Sequence, residues 1–214
     1  MTEIPASGAG PKADPKADPK ADPKSDPKAD HWDLRDPSPW VNRFAPLVPA
    51  GGAVLDLACG KGRHTRLFRG RGHPVTAVDR DVLHLGDAVR DGWVRVIEAD
   101  LEAGPWPLAG QTFSGIVVTN YLYRPLMPRL IAALAPGGVL IYETFAKGNE
   151  AYGKPRNPDN LLGPGELLDV FGERFSVVAY EYGHVTTPRP SVIQRICAVN
   201  MPKDAPPPLP AGGG

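Results

Sequence analysis

The stretch that decides the fold is Val54-Leu55-Asp56-Leu57-Ala58-Cys59-Gly60-Lys61-Gly62-Arg63-His64. An apolar run of β-type residues ends in a glycine-rich turn, and a helical stretch begins at Arg63. This order predicts a strand, a tight turn and a helix, the first unit of an open parallel sheet. Ligands bind such sheets at the carboxyl ends of the strands, and glycine lets the backbone approach a ligand closely. The turn therefore predicts a ligand site, although a tight turn without a ligand has the same pattern.

Strand-like and helical stretches alternate along the rest of the chain. The predicted strands cover residues 53–58, 73–78, 94–98, 113–119 and 139–145, and the predicted helices cover 63–69, 81–90, 124–135 and about 165–171. A short helix capped by Ser38 or Asp36 precedes the first strand, with Pro39 in its first turn. Two further strands, 175–182 and 192–200, have no helix-sized gap between them and predict an antiparallel hairpin. We expect a single doubly wound, Rossmann-like α/β sheet, mostly parallel and finished by that C-terminal hairpin.

The two ends of the chain differ in composition from the rest. Residues 1–30 contain five PKAD-type repeats whose proline at every fourth position blocks a regular helix. Residues 203–214 are rich in proline and glycine. Neither stretch can bury much apolar surface, so we expect two disordered tails around one domain at residues 31–202.

Bulk composition excludes several classes of protein. The formal net charge is zero, so nothing predicts a nucleic-acid or membrane partner. Two cysteines cannot build a disulfide framework, the five histidines lack metal-site spacing, and no apolar run is long enough to cross a bilayer. The start of the chain has no apolar signal segment, so we expect a cytoplasmic protein without a metal. The oligomeric state is not indicated.

Acidic residues follow the second and third strands. Asp79 comes seventeen residues after Gly62, and Asp100 closes the third strand. A carboxylate at the end of the second strand can accept two hydrogen bonds from ribose hydroxyls. Capping the next helix is the alternative role for Asp79, but Asp81 is also available for that cap. Asp100 can accept a hydrogen bond from an exocyclic amine.

The glycine spacing narrows the ligand class. A dinucleotide site places a third glycine three residues after Gly62, where this chain has Thr65, and no phosphate loop of the type GxxxxGK[ST] occurs. A ligand with an adenine, a ribose diol and a cationic methionyl end but no phosphate suits these acids better. S-adenosylmethionine is such a ligand.

At this point the chain resembles the class I S-adenosylmethionine-dependent methyltransferases, over residues 40–200. The resemblance rests on VLDLACGKG (54–62), VTAVDRD (75–81), EADLE (98–102), FSGIVVTNYL (113–122) and LAPGGVLIYETF (134–145). It implies the seven-stranded methyltransferase fold, with S-adenosylmethionine as cofactor and S-adenosylhomocysteine as product. The implied cofactor residues are Asp56, Ala58, Gly60 and Gly62 around the methionyl part, Asp79 and Arg80 at the ribose, Asp100 and Leu101 at the adenine, and Thr119 and Asn120 in the methyl-donor pocket.

Two details concern this resemblance. The family often has glycine where this chain has Ala58, which we interpret as a small steric intrusion. The segment 142–168 looks like tellurite-resistance-type methyltransferases and their bacterial relatives.

Methyl transfer from a sulfonium needs alignment of donor and acceptor and exclusion of water more than it needs a base. The candidates for a catalytic role are Tyr121, Glu143, His184 and Arg156. Arg156 belongs to a long segment, 146–163, that we expect to cover the acceptor side, anchored by Tyr152, Leu161 and Leu162, with disorder as the alternative. Its positive charges favour a small anionic acceptor, such as an oxyanion, thiol or carboxylate.

Other functions stay open at this point. They are an RNA or protein methyltransferase, a non-catalytic S-adenosylmethionine-binding protein, and an NAD(P)-dependent oxidoreductase, which the glycine spacing disfavours.

Overall fold

The computed structural model describes residues 36–88 and 92–211. Seven strands form one sheet: β1 Val54–Leu57, β2 Val75–Asp79, β3 Val94–Glu98, β4 Phe113–Thr119, β5 Leu134–Phe145, β6 Ser176–Val185 and β7 Ser191–Val199. Four α-helices accompany them: α1 Pro39–Phe44, α2 Arg63–Gly70, α3 Met127–Ala133 and α4 Glu166–Gly172. The sequence therefore predicted all seven strands.

The sheet has the order β3-β2-β1-β4-β5-β7-β6. Strands β1 to β5 pair in parallel, and β7 runs antiparallel between β5 and β6. From β1 the chain winds outward to β3 and then returns to the other side of β1 as β4. The winding direction reverses between β1 and β4, which is where open α/β sheets bind ligands. The predicted mostly parallel sheet with a C-terminal hairpin is confirmed.

Side chains on alternate positions of the central strands enter two apolar layers. In β4, Ile116 and Val118 pack with α3 and α4, whereas Val117 packs on the opposite face with α1 and α2. The helices contribute large buried side chains to both layers. Examples are Trp40 and Phe68 on one face and Leu130 and Phe171 on the other. A sheet covered on both faces explains why its strands are continuously apolar.

Helix α1 begins as the sequence predicted. The Ser38 hydroxyl accepts hydrogen bonds from the backbone amides of Trp40 and Val41, so Ser38 is the N-cap. Trp40, Val41 and Phe44 are the buried residues of this helix.

The predicted helix over residues 81–90 is wrong in its described part. Only a 3-10 turn, Leu83–Leu85, forms there. The Asp81 carboxylate accepts a hydrogen bond from the Leu83 amide at 3.2 Å, which holds this stretch in a local turn. Leu85 is the buried anchor, whereas Leu83 is exposed.

The predicted helix over 124–135 is shorter in the structure. A 3-10 turn, Arg124–Leu126, leads into α3, and β5 already begins at Leu134. Leu134 leaves the helix because its backbone is extended and pairs with Phe113 of β4.

The predicted tails lie largely outside what the structure describes. Residues 1–30 are outside the described residues, and residues 202–211 contain turns but no helix or strand. Their disorder stays a prediction. Among the described residues, no helix has the length and apolarity needed to cross a membrane.

The turn after β1 has a strained backbone. Ala58, Gly60 and Gly62 have φ values of 52°, 53° and 74°, all in the left-handed region. The alanine at Ala58 therefore carries a conformational cost of about 1–2 kcal/mol, and the steric intrusion stays a prediction. A Cβ on Gly62 would lie 2.3 Å from Leu85 Cδ2, whereas a Cβ on Gly60 would meet nothing within 4 Å.

We expect Gly62→Ala to destabilise the fold more than Gly60→Ala. Both substitutions force alanine into a left-handed conformation, but only the first drives a methyl group into the buried Leu85 side chain. Overpacking of this kind costs about 1–3 kcal/mol. Denaturant unfolding of the two variants measures the difference, and equal losses of unfolding free energy would contradict the prediction.

Candidate active site

The carboxyl ends of β1 to β5 lie at one level. Leu57 pairs with both Val78 and Val118, Asp79 pairs with Glu98, and Thr119 pairs with Glu143. Residues just past β1, β3 and β4 continue the ladder: the Cys59, Ala99 and Asn120 amides donate to the Val78, Asp79 and Glu143 carbonyls. This alignment brings the predicted strand-end residues to one edge of the sheet.

Asp79 fixes the glycine turn onto the end of β2. Its Oδ2 accepts a hydrogen bond from the Gly60 amide at 2.7 Å, and its Oδ1 accepts one from the Asp81 amide at 3.1 Å. A carboxylate has about four acceptor positions. One lone pair on each oxygen therefore stays available for a ligand. The alternative role, capping a following helix, is not seen among the described residues, because only the 3-10 turn Leu83–Leu85 follows and its N-cap residue makes no side-chain cap.

Asp100 is held in a similar way at the end of β3. Its Oδ1 accepts hydrogen bonds from the Glu102 and Ala103 amides at 2.9 and 3.0 Å. These two amides lower the pKa of the Asp100 carboxyl, with a smaller contribution from the nearby Arg80. Leu101 is buried beside it, while Arg80 is exposed. Oδ2 of Asp100 accepts no hydrogen bond from the described residues.

A buried phenol faces this acidic edge. The Tyr121 hydroxyl oxygen is buried and has no hydrogen-bond partner among the described residues. Burial first, and then the charges of Glu102, Asp100 and Asp79, raise the pKa of Tyr121. The phenol therefore keeps its proton and acts as a donor rather than as a base. A buried polar atom without a partner is costly, so a ligand that accepts this hydrogen bond would relieve the cost.

The residues at this edge fit the adenosine part of S-adenosylmethionine. Space beside Gly60 is open, the acids of β2 and β3 retain acceptor capacity for hydroxyl and amine groups, and Tyr121 offers an unused donor. The donor and acceptor set matches a ribose diol and an adenine.

Asp56 lies beneath the turn and is only 1% exposed. Its Oδ2 accepts a hydrogen bond from Thr65 Oγ1 at 2.6 Å. Burial raises the pKa of Asp56 to about 6, and the Thr65 hydrogen bonds limit that rise. The carboxylate is thus charged at neutral pH and supported from the first turn of α2.

A second polar group, which sequence reasoning did not find, lies above β4 and β5. The Ser38 amide donates to His64 Nε2 at 3.1 Å, and the Ser38 hydroxyl donates to Glu143 Oε1 at 2.8 Å. His64 Nδ1 lies 3.4 Å from Thr119 Oγ1, and Arg195 Nη1 donates to Glu143 Oε2 at 3.2 Å. The start of α1 is thereby attached to the carboxyl ends of both strands.

The first of these contacts assigns the tautomer of His64. Because Nε2 accepts a hydrogen bond, the ring proton of the neutral imidazole is on Nδ1. Burial, together with the neighbouring Arg63, lowers the pKa of His64 to about 3. His64 is therefore neutral at physiological pH. Sequence reasoning named Ser38 as a helix cap and Glu143 as a catalytic candidate, but it did not bring them together with His64, the second residue of α2.

The four catalytic candidates occupy different places. Tyr121 faces the strand-end acids, and Glu143 is already held by Ser38 and Arg195. His184 lies near the end of β6, an edge strand, with its ring 4.8 Å from that of Tyr152. Arg156 is exposed. Asn120 has a left-handed φ of 55° directly after Thr119.

The segment 146–163 follows β5 and is anchored at several points. Arg124 donates to the carbonyl oxygens of Asp159 and Leu161, and it also pairs with Glu166. Asn149 is buried and accepts a hydrogen bond from the Val192 amide. Leu161 and Leu162 are buried as predicted, whereas Tyr152 is 47% exposed. The segment is therefore ordered. Its role as a cover over the acceptor side stays a prediction.

We expect Asp56→Asn to change the pH dependence of stability. Because the folded-state pKa of Asp56 is raised from 3.8 to about 6, the native state binds this proton more tightly than the unfolded chain. The contribution of Asp56 to stability therefore falls as pH rises from about 4 to about 6, by about 3 kcal/mol. Between pH 4 and pH 7, the unfolding free energy of Asp56→Asn should therefore rise by that amount relative to wild type. Chemical denaturation at each pH measures this difference.

The exposed carboxylate of Asp204 provides the control, through Asp204→Asn. A stability difference between Asp56→Asn and wild type that does not vary with pH would contradict the prediction.

Comparison with known proteins identifies the family. Residues 29–157 match the model of a methyltransferase domain. Over 128 residues, the chain is 37% identical to trans-aconitate 2-methyltransferase from Rhizobium meliloti, a match that covers 58% of this chain and 44% of that protein. Over 103 residues it is 34% identical to malonyl-[acyl-carrier protein] O-methyltransferase from Serratia marcescens, covering 46% of this chain and 40% of that protein. These matches span less than half the length of either relative.

Solved structures share the fold. TehB from Haemophilus influenzae superposes with a TM-score of 0.59 at 16% identity, over 73% of this chain and 60% of that one. The family match covers more than half of the chain, and the strand order, the turn and the strand-end acids agree with it. The chain belongs to the methyltransferase domain family, within the class I S-adenosylmethionine-dependent methyltransferases.

Proposed function

We propose that this chain transfers a methyl group from S-adenosylmethionine to a small acceptor that carries a carboxylate. The observation that carries the proposal is the meeting of the glycine turn, Asp79, Asp100 and Tyr121 at the reversal point of the sheet. Family membership supports the same reaction.

The adenosine part of the cofactor has groups to bind it in this proposal. The free lone pairs of Asp79 accept from the ribose hydroxyls, and Asp100 Oδ2 accepts from the adenine amine. Tyr121 donates to an acceptor atom of the adenosine part. The open space beside Gly60 lets the backbone lie against the ligand. When bound, S-adenosylmethionine supplies an electrophilic methyl group on a sulfonium.

A carboxylate acceptor agrees with the groups above β4 and β5. A carboxylate is ionised at neutral pH, so it needs no general base. Glu143 accepts hydrogen bonds from Ser38 and Arg195, and the His64 ring has contacts at both nitrogens, so in this proposal both side chains position the start of α1. The names of the two relatives specify trans-aconitate and malonyl-[acyl-carrier protein], which both carry carboxylates.

The segment 146–163 supports an anionic acceptor through its charge. It contains Lys147, Lys154 and Arg156 against Glu150 and Asp159. The planar guanidinium of Arg156 can hold a carboxylate or another oxyanion with two hydrogen bonds.

The other functions are less well supported. A dinucleotide would place its pyrophosphate at the start of α2. In this chain Thr65 stands there in place of the third glycine, and its hydroxyl donates to the buried carboxylate of Asp56. The formal net charge of zero gives no electrostatic footprint for RNA. A protein acceptor and a non-catalytic binding role are tested by the assays below.

We expect the purified chain to bind S-adenosylhomocysteine with micromolar affinity or tighter, about −8 kcal/mol. Asp79→Ala removes charge-assisted hydrogen bonds worth about 1.5–3 kcal/mol each, so affinity should fall at least tenfold in titration calorimetry. Asp81→Ala is the matched control, because it removes a carboxylate two residues away that also accepts a backbone hydrogen bond. No binding by the wild type at millimolar ligand would refute the function, and unchanged affinity in Asp79→Ala would refute the ribose site.

The acceptor is tested with labelled S-adenosylmethionine and a panel of small carboxylates, thiols and oxyanions that includes trans-aconitate. On the acceptor so identified, Arg156→Ala should reduce methyl transfer at least tenfold while changing cofactor affinity by less than about threefold, under ~1 kcal/mol. Arg129→Ala, on the exposed face of α3, is the control. Full activity of Arg156→Ala would show that the segment is a surface connection.

A further inference from the structure

Arg63, the first residue of α2, is a partly buried cation at the strand-end site. Its Nη1 donates to the Asp36 carbonyl oxygen at 3.2 Å. A guanidinium has five N–H donors, so among the described residues this one bond leaves most of them unused. Within residues 36–88 and 92–211, no carboxylate lies at ion-pair distance from Arg63.

The two carboxylates that act electrostatically on Arg63 have hydrogen-bond partners of their own. Glu143 and Asp56 both influence Arg63 electrostatically. Glu143 accepts from the Ser38 hydroxyl on one oxygen and from Arg195 on the other, and Asp56 accepts from Thr65. Arg63 therefore lies near two carboxylates, each of which accepts a hydrogen bond from another partner.

The neighbouring histidine adds no charge to this region. His64 is neutral, with Nε2 accepting from the Ser38 amide. Burial is the largest influence on Arg63 and lowers the pKa of its guanidinium, which means that the protein bears a cost for holding this cation here. Charges that are removed from water are normally paired.

We propose that Arg63 is a carboxylate-binding residue of this site and that its missing partner is a carboxylate of a ligand. Its place supports this assignment: it directly follows the glycine turn and lies close to Glu143 of β5, whose strand partner is Thr119. The planar fork of the guanidinium can hold a carboxylate with two parallel hydrogen bonds. The inference rests on the proposed function, since two carboxylates reach such a site: that of the methionyl end of the cofactor and that of the acceptor.

Two adenosine ligands distinguish these sources. S-adenosylhomocysteine carries the methionyl carboxylate, and 5′-methylthioadenosine has the same adenosine without it. Calorimetry on the full chain compares both ligands between wild type and Arg63→Gln. If the methionyl carboxylate is the partner, S-adenosylhomocysteine loses at least tenfold in affinity and methylthioadenosine is unchanged.

If the acceptor carboxylate is the partner, both adenosine ligands bind Arg63→Gln as they bind wild type. A carboxylate from a probe panel (trans-aconitate, malonate and citrate), titrated in the presence of S-adenosylhomocysteine, then loses at least tenfold. Arg71→Gln is the matched control, because Arg71 immediately follows the same helix and its exposed side chain bonds to Asn42. Arg63→Lys keeps the charge but not the fork, so we expect it to recover part of the binding.

A structural role makes different predictions. If Arg63 only holds the start of α2 against Asp36, Arg63→Gln lowers the melting temperature and weakens both adenosine ligands equally. If Arg63 instead waits for a ligand carboxylate, Arg63→Gln removes an unpaired, partly buried charge. The melting temperature of the ligand-free variant is then equal to or higher than that of wild type. The proposal is overturned by equal loss of both ligands, or by unchanged adenosine binding together with no Arg63-dependent binding of any probe carboxylate. Failure of the wild type to bind either adenosine ligand would count against the proposed function itself, and the probe carboxylates still test Arg63.

Discussion

The hydrogen bond between the Gly60 amide and the Asp79 carboxylate, 2.7 Å long, joins the glycine turn after β1 to the end of β2. It forms because the turn after β1 takes up a left-handed backbone at three positions, which directs the Gly60 amide toward the end of β2. The same turn starts α2 and so places Arg63, His64 and Thr65 over the sheet. Geometry at the adenosine side and at the acceptor side thus depends on one strained turn and one carboxylate.

The sequence predicted the parts of this site that depend on local order. Strands with continuous apolar residues, and acids placed at their ends, indicate where Asp79 and Asp100 lie, because parallel strands end at a common edge. The group formed by Ser38, His64 and Glu143 could not be predicted in this way. Its contacts join residues 26 and 105 positions apart, and no local pattern encodes such a pairing.

The helix expected over residues 81–90 shows that a local sequence pattern can also predict an element that does not form in the described residues. Its residues have acceptable helix propensity, but propensity is a weak influence that tertiary contacts override. The Asp81 side chain captures the Leu83 amide, and Leu85 packs beside Gly62, where a Cβ would collide with it. The Leu85 side chain therefore adds a packing requirement for glycine at position 62 to the conformational one that its φ of 74° sets.

Burial acts in opposite directions on two titratable groups that flank Arg63 in space. It raises the pKa of Asp56 to about 6 and lowers that of His64 to about 3. At pH 7 both shifts leave the groups in fixed states, Asp56 charged and His64 neutral. Asp56 and His64 therefore keep the same charge between about pH 7 and pH 8. Such fixed charges suit an acceptor that is already ionised, because its methylation needs no proton transfer to or from these two groups. The chemistry then depends on alignment, which the bonds from Ser38 to His64 and to Glu143 provide by fixing the start of α1 over the ends of the strands.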